Sequence, residues 1–171
     1  MNPLEVERMK VTVIGIGQTL RGDDAAGMEA VQRWQRIYTD TSTRPDVNIQ
    51  YCELPGLGLL DLLDGFGAAV IVDAVAGAAP AGHVYRLSPD DLASFGTGAK
   101  SAHGWGIAET LELERKADPT RLQIPIRLVG IEGQEMGLGR PLSAAVEAAL
   151  PAACEAIEAE VQALLSPGSG R

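Results

Sequence analysis

Two apolar runs constrain this chain more than any other feature. The β-branched run from Val11 to Ile14 is nearly all apolar, and so is "AAVIVDAV", read as a strand that ends at Asp73. A strand with one wet face alternates polar and apolar residues, so runs without alternation belong to strands covered on both sides. Segments of helical period supply the cover. "DDAAGMEAVQRWQRIY" places Met28, Val31, Trp34 and Ile37 at helical spacing, and its acidic first turn suits the positive end of a helix dipole. "PGLGLLDLLDGF" reads as a second helix. "SAHGWGIAETLELERKA" reads as a third that begins near His103, with Ile107, Leu111 and Leu113 on its apolar side. "VNIQYCEL", "HVYRLSP" and "IPIRLVGIEG" are the remaining strands, with "TDTSTRPD" and "AGAAPAG" as loops. "PLSAAVEAALPAACEAIEAEVQALL" is the closing helix, interrupted or restarted near Pro151. Alternating strands and helices predict an α/β protein: a three-layer α/β/α sandwich around a mostly parallel, twisted sheet of about five strands.

The 171 residues suit one domain. Its expected limits are residues 9–165, after a polar leader at 1–8 and before a flexible tail at 166–171. No run of about 18 apolar residues is present to span a bilayer, and no basic segment followed by an apolar one marks a secretory signal. The expectation is a cytoplasmic protein that does not act at a membrane. Cys52 and Cys154 are far apart and form no CxxC pair, which fits reduced thiols. A net charge of −9 argues against a sequence-independent hold on nucleic acid, which needs lysine and arginine to displace phosphate counterions.

In parallel sheets, ligands sit beyond the carboxyl ends of the strands. Asp23 and Asp24 follow the first strand, Asp73 ends the third, and Glu132 lies near the end of the last. "GIGQTL" begins like a dinucleotide fingerprint, but Leu20 stands where the third glycine belongs, and a pyrophosphate would meet two carboxylates. Taken singly, Asp23 and Asp24 read as a helix cap and a first-turn carboxylate, and Asp73 as a turn cap. His103, set among glycines in "SAHGWG", adds a third group. One imidazole and two carboxylates at one sheet edge suit zinc, nickel or iron(II). Three protein ligands leave positions open for substrate or water. His83 reads as structural, and Glu132 and Glu135, in the loop after the last strand, as solvated loop charges, with lining of the cleft as the alternative. No Gly-x-Ser-x-Gly elbow is present, and neither cysteine has a base beside it in sequence.

These residues carry a family resemblance. "GIGQTLRGDDAAG" resembles the N-terminal signature of the hydrogenase maturation endopeptidases, "IVDAVAGAAPAGHVYRL" its Asp-Ala block, and "SAHGWGIAETL" its Ser-x-His block. "LVGIEGQEMGLGRPLSAAVEAAL" is similar to its closing strand, loop and helix opening, so four blocks stand in order between Met9 and Leu165. The sequence departs at Gln18, where the family usually has asparagine. The resemblance implies an endopeptidase that removes the C-terminal extension of a nickel-iron hydrogenase large-subunit precursor once nickel is installed. It assigns nickel contact to Asp24, Asp73 and His103, with the nickel carried by the precursor and no permanently bound metal. Asp23 is then left to cap the helix or support the turn. A non-catalytic nickel-sensing chaperone with the same three ligands is the alternative.

Overall fold

The computed structural model describes residues 9–53, 56, 58–77, 79–94, 100–101 and 107–166. The leader, the tail from 167 on, and His103 with the helix start expected there lie outside the described residues. The strands are β1 (Val11–Ile16), β2 (Val47–Cys52), β3 (Ala68–Ala76), β4 (Val84–Leu87), β5 (Lys100–Ser101) and β6 (Ile126–Glu132). The helices are α1 (Ala26–Ile37), α2 (Thr39–Ser42), α3 (Gly58–Leu63), α4 (Pro89–Ser94), α5 (Ile107–Ala117) and α6 (Ala144–Leu165). The sheet order is β2-β1-β3-β6-β4, with short β5 paired to β3. β2, β1, β3 and β6 are parallel, while β4 runs antiparallel to β6 and β5 antiparallel to β3.

The period of two in the central strands separates the layers. Val11 and Val13 of β1 face a cluster with Ala30, Val31 and Trp34 of α1 and Leu150, Ile157 and Val161 of α6. Ile14 and Ile16 face the other side, where Leu59 and Leu63 of α3 meet Ile107 and Leu111 of α5. β1 is therefore buried along its whole length, as the apolar run requires. Each of these large side chains contributes roughly 1.5–3 kcal/mol by leaving water. The indole N–H of fully buried Trp34 is not stranded, because it donates to Glu158 Oε2 at 2.9 Å.

Four details differ from the sequence reading. The "TDTSTRPD" loop contains the short helix α2. Ile37 is 56% exposed, because it is the last residue of α1 and the buried stripe stops at Trp34. Leu113 is 45% exposed, since it lies about 200° around the helix from Leu111. α6 runs unbroken through Pro151. Proline removes the bond to the carbonyl four residues back, here that of Glu147, and both residues lie on the exposed face where water can take that carbonyl.

Candidate active site at the carboxyl ends of β1 and β3

β1 is followed by β2 on one side and, after the next crossover, by β3 on the other, so the strand order reverses at the β1–β3 pair. That is the switch point, where an open crevice forms beyond the strand ends. Two glycines bring the acidic residues to it. Gly27, in the first turn of α1, lies so close to the sheet that a Cβ there would fall 2.3 Å from the Val72 carbonyl oxygen and 2.5 Å from that of Ile16. The start of α1 thus rests on the carboxyl end of β1 and on the part of β3 level with it. Asp24 stands three residues before Gly27, and Asp73 directly follows Val72. Gly17 admits the other flank, since a Cβ there would meet the Asp24 carbonyl oxygen at 2.3 Å. Asp24 and Asp73 are both 3% exposed. Asp73 Oδ1 accepts the Ala74 N–H at 2.8 Å inside β3, which continues to Ala76 rather than ending at Asp73.

Neither member of the acidic pair caps α1, whose N-cap is Ala25. Both lie in a 3₁₀ turn, Gly22–Ala25, and the two side chains have different roles. Asp23 reaches across to the loop after β6. Its Oδ2 accepts the N–H groups of Gln134 at 2.9 Å and Glu135 at 3.0 Å, and its Oδ1 accepts that of Ser143 at 2.7 Å. Burial pushes the Asp23 pKa up, but these N–H donors and the Ser143 hydroxyl together outweigh it and hold the carboxyl below its ordinary value. Asp23 therefore supports the turn, and its charge is fixed by backbone. Asp24 remains the member of the pair set at the strand ends.

Glu132 is a correction. It is no solvated loop charge but a buried residue, 1% exposed, at the end of β6. Its Oε1 accepts the Gly77 N–H at 2.6 Å, and its Oε2 accepts the Tyr85 hydroxyl at 3.0 Å. Burial, then the hydrogen bond to Glu132 and its charge, pushes the Tyr85 phenol up to about 12. Register places Asp73 opposite Gly130 and Val75 opposite Glu132, so Asp73 and Glu132 share one face of the sheet. Glu132 thereby ties down the chain just after β3. The signal lay in "VGIEG": a glutamate at the buried end of an apolar strand must find partners. Glu135 is exposed, as expected. His83 is exposed too, its ring set edge-on to Tyr85 with centroids 4.5 Å apart. Cys154 is buried and Cys52 half-buried, and neither is in a disulfide. Burial pushes the Cys154 thiol up.

The structure thus brings Asp24 and Asp73 to one corner and turns Asp23 away, while His103 is outside the described residues. Among the described residues no group of three or more His, Cys, Asp or Glu side chains could hold a metal ion.

An open α/β sheet with buried carboxylates at its switch point defines a class of site suited to a cationic guest. Relatives identify the family. A sequence model described as hydrogenase maturation protease matches residues 54–160. The hydrogenase expression/formation protein HupD of Rhizobium leguminosarum bv. viciae is 31% identical over 166 residues, which cover 93% of this chain and 76% of that protein. The [NiFe] hydrogenase maturation protease HybD of Thermococcus kodakarensis superposes with a TM-score of 0.70 at 26% identity, covering 90% of this chain and 99% of that one. The hydrogenase maturating endopeptidase HybD of E. coli has the same fold, with a TM-score of 0.73 at 23% identity over 91% of this chain and 93% of its own. This chain belongs to the hydrogenase maturation protease family, a family of hydrolases.

Proposed function

We propose that this protein is the endopeptidase that removes the C-terminal extension of a nickel-iron hydrogenase large-subunit precursor after nickel insertion, and that it reads the nickel through Asp24, Asp73 and His103. The observation that carries this reading is the division of labour in the acidic pair. Asp23 is consumed by three backbone N–H groups, while Asp24 and Asp73 are buried together at the switch point of the sheet. Two carboxylate oxygens and one imidazole nitrogen match the ligand preferences of nickel(II). The nickel arrives as part of the substrate. An incomplete set of ligands then serves recognition, because it binds only a precursor whose metal is in place. Completing the coordination docks the adjacent peptide bond, and the metal acts as a Lewis acid on the scissile carbonyl or on the attacking water. Hydrolysis consumes that water and leaves a new carboxylate on the large subunit and an amine on the released peptide. The reaction belongs to the cytoplasm. No helix among the described residues is long and apolar enough to cross a membrane, and the charge of −9 does not suit nucleic acid.

The test is the intact mass of purified, nickel-loaded precursor after incubation with the protein. Wild type is expected to remove the extension. Asp24→Asn, Asp73→Asn and His103→Ala are expected to keep a wild-type circular dichroism spectrum and to slow cleavage by at least about 10³-fold. Cleavage at the wild-type rate by Asp24→Asn or His103→Ala removes the ligand assignment. Wild-type protein that binds the loaded precursor and never shortens it transfers the function to a nickel-sensing chaperone.

A further inference from the structure

The loop between β1 and the 3₁₀ turn and the loop between β6 and α6 are knitted into one platform beside Asp24. The Gly139 N–H donates to the Leu20 carbonyl at 2.7 Å, the Gly22 N–H to the Arg140 carbonyl at 3.0 Å, and the Asp23 N–H to the Glu135 carbonyl at 2.7 Å. Arg21 and Arg140 form a parallel β-bridge. Side chains far apart in sequence are thereby set side by side. Leu20 is 70% exposed and Leu138 77%, the two most exposed large hydrophobic residues among those described. Folding leaves such side chains in water at a cost, and here it collects two of them on adjoining strands of backbone.

The arginines beside them add charge. Arg21 and Arg140 are exposed and, like Arg36, have no ion pair among the described residues, whereas Arg33, Arg44, Arg86, Arg115, Arg121 and Arg127 are each within 4.0 Å of a carboxylate. An open cavity of about 310 Å³ lies against the platform, lined in part by Thr19, Gly22, Arg140 and Leu142. Glu29 and Glu147 also line it, but Glu147 is already engaged by Arg33 at 3.0 Å. On a chain of net charge −9, these two guanidinium groups without an ion pair among the described residues stand beside two exposed leucines.

We propose that Leu20, Arg21, Leu138 and Arg140 form the docking surface for an acidic and apolar segment of the precursor that flanks the bond to be cut. This rests on the reading of the chain as a precursor-cleaving peptidase. Proximity argues for that segment over a remote face of the substrate: the Asp24 N–H donates to the Arg21 carbonyl at 3.2 Å, so the patch lies within one turn of a proposed nickel ligand. Paired guanidinium groups favour carboxylates through fork-shaped hydrogen bonds. The leucines give the apolar neighbours of those carboxylates somewhere to lose water. The docking surface then selects the partner, while the carboxylates and imidazole sense the metal.

Steady-state cleavage of nickel-loaded precursor separates the two roles. Arg21→Glu combined with Arg140→Glu is expected to raise KM at least about 10-fold at low ionic strength, with kcat within about 2-fold of wild type. The KM of wild type is expected to rise with salt and that of the double variant to lose this dependence. Leu20→Ser combined with Leu138→Ser is expected to raise KM several-fold without changing the salt dependence. All four substitutions leave the backbone bonds of the platform in place, and an unchanged thermal midpoint verifies the fold. A wild-type KM in both double variants, alongside an inactive Asp24→Asn, overturns the docking surface and leaves the peptidase standing. A wild-type protein that cuts no precursor overturns both.

Discussion

At the amino ends of the strands, carboxylates are met by arginine; at the carboxyl ends, Asp23 and Glu132 are met by neutral donors. Asp46, just before β2, takes a fork of two bonds from Arg44, at 2.8 and 2.7 Å. Asp64, before β3, is 2.8 Å from Arg121, which also reaches Glu114 at 3.0 Å. Across the sheet, Asp23 is held by backbone N–H groups, and Glu132 by a backbone N–H and a tyrosine hydroxyl. The two solutions have different electrostatic results. A guanidinium cancels the charge it binds, whereas N–H and O–H donors fix the orientation of a carboxylate and leave its charge in place. The end of the sheet where the nickel site is proposed is thus the one at which the bonds of Asp23 and Glu132, among the described residues, come from N–H and O–H donors.

The sharpest way to break the carboxyl end is to widen it. Gly27→Ala would place a methyl group 2.3 and 2.5 Å from two backbone oxygens, which no rotamer change relieves. α1 must then lift from the sheet, at an expected cost of about 3 kcal/mol or more. The expected outcome in thermal denaturation is a midpoint lowered by about 10 °C, or insoluble protein. Gly58→Ala is the control, since a Cβ at Gly58 meets nothing within 4 Å. It is expected to leave the midpoint unchanged or raise it slightly.

A smaller loss is expected from Asp23→Asn, which swaps the acceptor of three N–H bonds for an amide that repels at least one of them. Charge-assisted bonds of this kind contribute about 1.5–3 kcal/mol, so a midpoint lower by roughly 5–10 °C is expected near neutral pH. The pH dependence identifies the cause. Because the folded protein holds the Asp23 carboxyl below its ordinary value of 3.8, its contribution is complete above that value and fades as pH falls through the folded-state pKa. Wild type should therefore lose stability below about pH 4 more steeply than Asp23→Asn. Parallel curves would mean that the three bonds do not depend on the charge.

How far these differences could be read from the sequence depends on how local they are. The layers follow from the period of single strands and helices, and Asp24 could be placed beyond β1 because it follows an apolar run, whereas Asp73 reads as a strand end in the sequence and lies inside β3. The role of Asp23 was hidden. The local rule makes it a cap, but its acceptor sites are used by Gln134, Glu135 and Ser143, more than a hundred positions away. Glu132 was hidden for the same reason, since Gly77 and Tyr85 reach it only once β3, β4 and β6 are assembled. Pro151 misled differently: its effect on a helix depends on whether the freed carbonyl faces water, which spacing in the chain does not state.

The mildest test falls on the amino end. Arg121→Ala removes contacts to Asp64 and Glu114 and a longer one of 3.8 Å to Asp61. Their number suggests a strong network, but Arg121 is 35% exposed and Asp61 and Asp64 are 83% and 55% exposed. Water and salt screen such pairs, and ordering the long side chain offsets much of the attraction. The expected change in thermal midpoint is within about 2 °C, with precursor cleavage unaltered. Should Arg121→Ala instead slow cleavage as Asp24→Asn is expected to, the amino end would take part in the reaction, and the contrast between arginine-paired and neutrally held carboxylates would no longer distinguish support from site.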